Sequence, residues 1–296
     1  MNSSYALQTL GVSNPFFYGQ SQIISDIDHR AGFLIFKNTM FSVLTLNLRF
    51  GMADDGANNW RYRKKGFQPF LEKYCTDFIG FQEANDFQID FLHNILTEYN
   101  TIGKRSPSPS FWQNNVIFYQ KNWHCIHHEH FFLSPTPSIP SRYRKSIWPR
   151  QCTIGMFKKD RQQVICINTH MDFDVSVQVK SAKLILDRLS HLPGEIPAVL
   201  MGDFNTAPFS PCYDIFTGHV DTPSVNASYF KNAFKKPFMG THHGFTGITD
   251  KDPIDWILFR GNITLINSKV IQDTFKNIYI SDHFPLCAQF ALGAES

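Results

Sequence analysis

The sequence predicts an α/β fold, and three observations predict it. From about residue 40 onward, short apolar segments rich in β-branched and aromatic residues alternate with segments of helical spacing. The composition is that of an ordinary globule, with 43% hydrophobic, 18% charged and 15% aromatic residues in 296. No fixed-period repeat or low-complexity tract breaks the pattern. Length alone leaves open one large α/β domain or two small ones. The Pro-rich "SPTPSIP" (134–140) is the linker candidate, but strands of the same character resume after it, so it reads as a long loop inside one domain over 39–296. Residues 1–38 have weak periodicity and several turn formers, and read as an N-terminal extension.

Within that domain "MFSVLTLNLRF" (40–50) is β-rich and ends in a polar cluster, "WRYRKKGFQPFLEKY" (60–74) has helical spacing, and "DFIGFQEA" (77–84) is a short apolar strand. "NDFQIDFLHNILTEY" (85–99) offers an Asn or Asp cap, then apolar residues at Phe87, Phe91, Leu92, Ile95 and Leu96, which is an amphipathic helix. "NVIFYQ" (115–120), "CTIGMFKK" (152–159) and "QVICINTHMD" (163–172) read as strands, "SVQVKSAKLILDRLSHL" (176–192) as a helix, and "AVLMGDFN" again as a strand. "PIDWILFRG", "ITLINSKVI" and "SDHFPLCAQFAL" form a β-rich end.

A formal charge of +3 does not announce a nucleic-acid binder, since phosphate affinity depends on where cations cluster. The local run "SRYRKSIWPR" (141–150) holds four cations and two aromatics, and reads equally as a solvated loop or a phosphate contact. Six scattered cysteines without a C-x-x-C pair suggest neither a disulfide framework nor a cysteine zinc site, and fit a reduced, cytoplasmic protein. No apolar run approaches the roughly 18 residues of a membrane span, and the N-terminus lacks the pattern of a signal peptide. In "WHCIHHEH" (123–130) an extended chain would set His124, His128 and His130 on one face, either as transition-metal ligands or, on the better reading, as an exposed edge-strand face.

The chemistry gathers at strand ends. "LTLNLRF" carries Asn47, "GFQEAN" Glu83, "INTHMDFD" His170, "MGDFNTAP" Asp203 and Asn205, "PIDWILF" Asp255, and "ISDHFPL" Asp282 and His283. One such Asp is ordinarily a cap or turn residue. Six segments that behave alike imply a shared site, and crowded carboxylates need a cation, because burying unpaired charge costs several kcal/mol. Oxygen donors without cysteine suit Mg2+ or Mn2+ better than zinc. Such an ion leaves room for a phosphate oxygen.

In this order the motifs Asn, Gln-Glu, Thr-His, Gly-Asp-Phe-Asn, Ile-Asp and Ser-Asp-His resemble the endonuclease/exonuclease/phosphatase superfamily of metal-dependent phosphoesterases over about residues 40–292. The resemblance implies a four-layer α/β sandwich, two mainly antiparallel β-sheets packed face to face and flanked by helices, with the site at one end. It makes Glu83 the principal metal carboxylate, with Asn47 and Asp282 ligating or orienting. Asp203, assisted by Asn205, would activate the attacking water; His283, steadied by Asp255, would bind the scissile phosphate; His170 would contact a phosphate oxygen or aid the leaving group. Arg49 stands where abasic-site endonucleases carry an aspartate, which disfavours repair activity. "NLRFGMADDGANNWRYRKKGF", "FFLSPTPSIP", "PRQCTIGMF" and "THHGFTG" look like a bacterial branch, in which Arg150 and His243 would line the substrate cleft.

The expected activity is hydrolysis of a phosphodiester, by a nuclease or small phosphodiesterase, through in-line attack of an activated water. The alternative is a phosphomonoesterase acting on a sugar, nucleotide or lipid headgroup, and a noncatalytic binding protein stands third. The expected partner is a phosphate-ester substrate, with nucleic acid and nucleotide among the candidates, and the expected state is a monomer. Substrate identity rests on the loops around 51–60, 103–114, 134–151 and 221–250.

Overall fold

In the computed structural model of the protein, which describes residues 40–218, 229–249 and 251–293, the strands are buried on both faces. Along β1 (Met40–Asn47), Val43 and Thr45 point one way and Leu44 and Leu46 the other, and all four are at most 1% exposed. A strand apolar on both sides needs a covering layer on each. The predicted extension 1–38 lies outside the described residues.

Twelve strands among the described residues form two six-stranded sheets. The first contains β1, β2 (Phe78–Ala84), β3 (Tyr99–Ile102), β4 (Asn114–Gln120), β11 (Ile263–Val270) and β12 (Leu286–Leu292), in the order β11-β12-β1-β2-β4-β3. The second contains β5 (His124–Phe132), β6 (Gln151–Lys159), β7 (Gln162–His170), β8 (Ala198–Asp203), β9 (Lys231–Asn232) and β10 (Asp255–Arg260), in the order β5-β6-β7-β8-β10-β9. Only β1–β2 and β7–β8 pair parallel. A parallel pair needs a crossover. The first is made through α1 (Trp60–Arg63) and α2 (Phe67–Lys73), the second through α4 (Val175–Ser190).

Three apolar layers hold the sandwich. Val43, Phe78, Ile117, Cys166, Met201 and Ile257 meet between the sheets. Phe67 and Phe70 of α2, with Ile89 and Leu92 of α3 (Asp86–Ile95), cover the outside of the first sheet against Leu44, Leu46 and Phe81. Ala182 and Ile185 of α4, with Ile215 of α5 (Pro211–Thr217), cover the second against Ile165, Ile167 and Leu200. Each large apolar side chain so buried contributes about 1.5–3 kcal/mol, which outweighs local propensity. The predicted α/β sandwich, with two mainly antiparallel sheets between helices, is the fold observed.

Differences from the expected elements have local causes. The helix expected over 60–74 is split into α1 and α2 by a 3-10 turn at Lys64–Gly66, because Pro69 has no N–H to bond and is accommodated only in the first turn of a helix. The strand expected to begin at "SDH" begins at Leu286, after Pro285, so Asp282 and His283 stand on the loop before it. The three histidines of "WHCIHHEH" do not share a face. The β5–β6 register slips between Cys125 and His127, and this bulge reverses the alternation, sending His124 to the side of His127 and Glu129, opposite His128 and His130. β5 is an edge strand, as the second reading of that segment expected.

Candidate active site

The second sheet presents a row. His170 pairs with Asp203 across the parallel β7–β8 ladder, and Asp203 with Asp255 across the antiparallel β8–β10 ladder, so three predicted residues stand abreast on neighbouring strands. Alternation puts all three on the inner face, two residues beyond Asn168, Met201 and Ile257. Gly202 is required beside them. Its φ is +145°, and a Cβ there would lie 1.9 Å from the Thr169 carbonyl oxygen. Just past the strand, Asn205 takes a left-handed φ of 50°, its N–H donates to Asp203 Oδ1 at 2.9 Å, and its amide donates to the Met171 carbonyl at 3.0 Å.

The first sheet needs a distortion to contribute. Asn47 faces inward, and its Nδ2 donates both to Glu83 Oε1 at 3.1 Å and to Asp203 Oδ2 at 3.0 Å, joining the two sheets. Gln82 also faces inward, where its amide meets Asn168 Oδ1 at 2.7 Å. Regular alternation would therefore aim Glu83 at the helices. Instead the β2–β4 register shifts between Phe81 and Ala84, and Glu83 takes a φ of 56°. The bulge re-aims the carboxylate, and Glu83 Oε2 accepts the Phe50 N–H at 2.6 Å. A left-handed non-glycine residue costs on the order of 1–3 kcal/mol, a cost met here by the packing around it.

Asp282 and His283 come from the loop before β12. Ser281 Oγ donates to the Asn47 carbonyl at 2.5 Å and lies 3.1 Å from Asp282 Oδ1, tying that loop to the end of β1. Arg63, 1% exposed, strengthens the tie: Nη1 donates to the carbonyls of Leu48 at 3.1 Å and Ile280 at 2.5 Å. Arg49, another left-handed residue (φ 61°), is forked onto Asp55 at 2.8 and 3.1 Å and stands 3.7 Å from Asp282 Oδ2. His283 Nδ1 lies 2.8 Å from Asp255 Oδ2, and Nε2 lies 3.9 Å from Asp203 Oδ2.

Arg150 ends the basic loop as its buried member, while Arg142, Arg144 and Lys145 are exposed. Its Nη1 lies 3.0 Å from His170 Nε2, and its guanidinium sits over exposed Phe173, 5.4 Å from the ring centre. Arginine can only donate, so His170 Nε2 is an acceptor and the ring is neutral with its proton on Nδ1. Burial, then Arg150 and His283, push the His170 pKa well below the ordinary value, in agreement. The 3.5 Å approach of that nitrogen to Asp203 is therefore not an ion pair. Arg150 Nε is buried with no partner among the described residues.

Of the predicted residues, Asn47 takes the orienting one of its two expected roles and only His243 is placed otherwise than expected. Asn47 Oδ1 accepts the Arg49 N–H at 2.8 Å, so the amide presents nitrogen to the carboxylates and orients them. His243, expected in the cleft, is 4% exposed and stacked on Phe284 at 4.0 Å, with Nδ1 accepting the Gly247 N–H. Its neighbour His242 is at the site instead. A single antiparallel bridge pairs His242 with His283, and alternation gives those two a common side and sends His243 away with Phe284. Arg63 and His242 are the residues that sequence reasoning missed. "THH" held the second signal, but choosing between its histidines needs the partner strand.

Electrostatics divides the acids. Burial, and then Asp255, push the Asp203 pKa up, against His283, Asn47 and the Asn205 N–H. Burial also acts on Asp282, but His242, His283 and Arg49 prevail and hold its carboxyl well below the usual range. Burial disfavours charge on His283, yet Asp255, Asp203 and Asp282 raise its pKa to about 10. One imidazole is thus held charged and the other neutral, within one cluster. Four carboxylates, those of Glu83, Asp203, Asp255 and Asp282, gather at this one end of the sandwich, and those of Asp203 and Asp255 lie with His283 in a group whose ligand atoms are within 4.8 Å of one another. That oxygen-rich set fits a hard divalent cation.

The model of the Endonuclease/Exonuclease/phosphatase family matches residues 44–283. The chain belongs to this family. Solved structures of similar fold include an endonuclease/exonuclease/phosphatase family protein from Bacteroides thetaiotaomicron, 25% identical over 88% of this chain and 100% of that one, with a TM-score of 0.78. A mannosyl-6-phosphatase from Bacteroides thetaiotaomicron is 25% identical over 84% and 99%, with a TM-score of 0.76. D. rerio TDP2 complexed with single-strand DNA product is 14% identical over 86% and 99%, with a TM-score of 0.67, a likeness of fold alone. No curated protein matches the sequence. As a member of the family, the chain is a hydrolase of phosphoester bonds. Among the described residues no helix is long and apolar enough to cross a membrane.

Proposed function

We propose that this family member is a divalent-metal-dependent phosphomonoesterase acting on a small hydroxylated carrier, a phosphorylated sugar in the first instance. The observation that carries the reading is the set of three fixed cations, Arg49, Arg150 and His283, held around the carboxylate cluster. A monoester is dianionic near neutral pH and a diester carries one charge, so a site with this many fixed donors favours the monoester. The likeness to a mannosyl-6-phosphatase supports the same choice.

Asp203 would take a proton from the attacking water, its raised pKa suiting a general base near neutrality. The Asn205 N–H and Asn47 Nδ2 hold that carboxylate in one orientation. His283, charged and braced by Asp255, would donate from Nε2 to a phosphoryl oxygen and stabilise its growing charge. Arg150, positioned by neutral His170, would bind a second oxygen with its remaining N–H groups. The water oxygen bonds to phosphorus as the carrier oxygen leaves, and the proton taken by Asp203 passes through solvent to the released alkoxide. Glu83 and Asp282 are the residues that would hold Mg2+ or Mn2+, which when bound supplies charge neutralisation and polarises the phosphoryl group.

Purified protein with Mg2+ or Mn2+ should release inorganic phosphate from hexose phosphates, and EDTA should abolish the release. Bis(4-nitrophenyl) phosphate and single-stranded oligonucleotide should be cleaved at least about tenfold more slowly. Diester cleavage with no monoester turnover would restore the phosphodiesterase reading.

A further inference from the structure

His242 has no part in the reaction above, yet its Nε2 stands 3.7 Å from Asp282 Oδ2 and its ring centre 4.9 Å from that of His283. His242, Asp282 and His283 offer one donor atom each, all within 4.8 Å of one another. The backbone bridge fixes the two imidazoles on one side. The atoms behind this trio are already committed. His283 Nδ1 is taken by Asp255 at 2.8 Å, which leaves Nε2, whose proton an arriving cation must displace, and Asp282 Oδ1 lies 3.1 Å from Ser281 Oγ, which leaves Oδ2. A carboxylate bonded to the far nitrogen of an imidazole is the arrangement that orients metal-ligating histidines.

We propose that His242, Asp282 and His283 bind a borderline first-row cation, Zn2+, and that its binding inhibits hydrolysis. Two imidazole nitrogens and one carboxylate oxygen with a fourth position open are a zinc donor set, whereas Mg2+ selects oxygen. Zinc bonds of about 2.0–2.2 Å put tetrahedral ligand atoms roughly 3.3–3.6 Å apart, so a spacing of up to 4.8 Å must close by about 1.2–1.5 Å at most. The His242 side chain, 49% exposed, is free to supply that movement. Zinc here would claim His283 Nε2, the donor to the phosphoryl group, and Asp282, a carboxylate of the Mg2+ site. The inhibition rests on the phosphoesterase roles given above; the binding does not.

The test is titration of Zn2+ into wild-type protein and His242→Phe at one fixed, saturating Mg2+ concentration, followed by calorimetry, with Co2+ absorption as a second probe. Phe keeps a ring against His283 and removes the nitrogen. The variant should bind Zn2+ at least about tenfold more weakly and lose the visible bands of four- or five-coordinate Co2+, and its half-inhibiting Zn2+ concentration should rise by the same factor. Zinc taken up by the histidines of β5 is common to both proteins and cancels. Equal Zn2+ affinity and equal Co2+ spectra would overturn the site, and these readouts need no substrate. Weakened binding with unaltered zinc inhibition would overturn the inhibitory part.

Discussion

The two sheets reach the same point by different means. The second lines up His170, Asp203 and Asp255 in register on three regular strands, and none of the three has a positive φ. The first must bulge β2 and turn Glu83 and Arg49 into left-handed backbone to bring its carboxylate inward. Strict alternation gives an inner face only every second residue, so an acid next to inward Gln82 can join the site only through a break in the ladder. The regular row suits groups whose separations must be fixed within a fraction of an ångström, as a base and a phosphate donor require. The bulged end suits a carboxylate that closes on an ion. On this division the second sheet, with His283 braced by Asp255, governs turnover, and the first governs metal affinity.

The largest effect should come from Asp203→Asn, which keeps the shape and loses the base. We expect kcat to fall at least about a hundredfold while calorimetry shows little change in Mg2+ affinity; an equal loss of affinity would break the division. Because burial disfavours the Asp203 charge, the same variant should melt no lower than wild type at neutral pH in EDTA. His283→Ala should cost about a hundredfold in kcat, with circular dichroism confirming the fold. Glu83→Gln should raise the Mg2+ concentration for half-maximal activity at least about tenfold, with more modest loss at saturating metal.

The smallest effect concerns pH. His283 is raised from 6.5 to about 10 in the folded protein, so its contribution to stability is fully present below pH 6.5 and lost as pH rises toward 10. Metal-free protein should lose a few degrees of Tm across that window, and His283→Asn should flatten the slope. A wild-type Tm that does not fall between those values would show that His283 is not held charged.

Much of the site was legible because strand ends can be read one strand at a time. Asn47, His170 and Asp203 follow from an apolar strand that stops at a polar residue and Asp255 from an acid that opens one, and their convergence is what the resemblance carried by the order of motifs implies. The same reading missed β3 and α5, which are too short for periodicity to declare, although Ser210 caps α5, Pro211 opens it and Gly218 closes it with a φ of 83°. Arg63 escaped notice because a cation in a helical segment ordinarily faces solvent, and only the meeting of Leu48 with Ile280 gives it carbonyls to bond.

The sequence by itself determined the fold class, the oxygen-rich donor set and the strand ends that carry it, since hydrophobic alternation and residue chemistry are local properties. Only the tertiary structure decided three matters: that Glu83 turns inward, that His242 rather than His243 joins the cluster, and that the β5 histidines part company. Each depends on a register shift or on a bridge to a distant segment. A slip of one residue sends every later side chain to the opposite face, and no single strand carries the position of its partner.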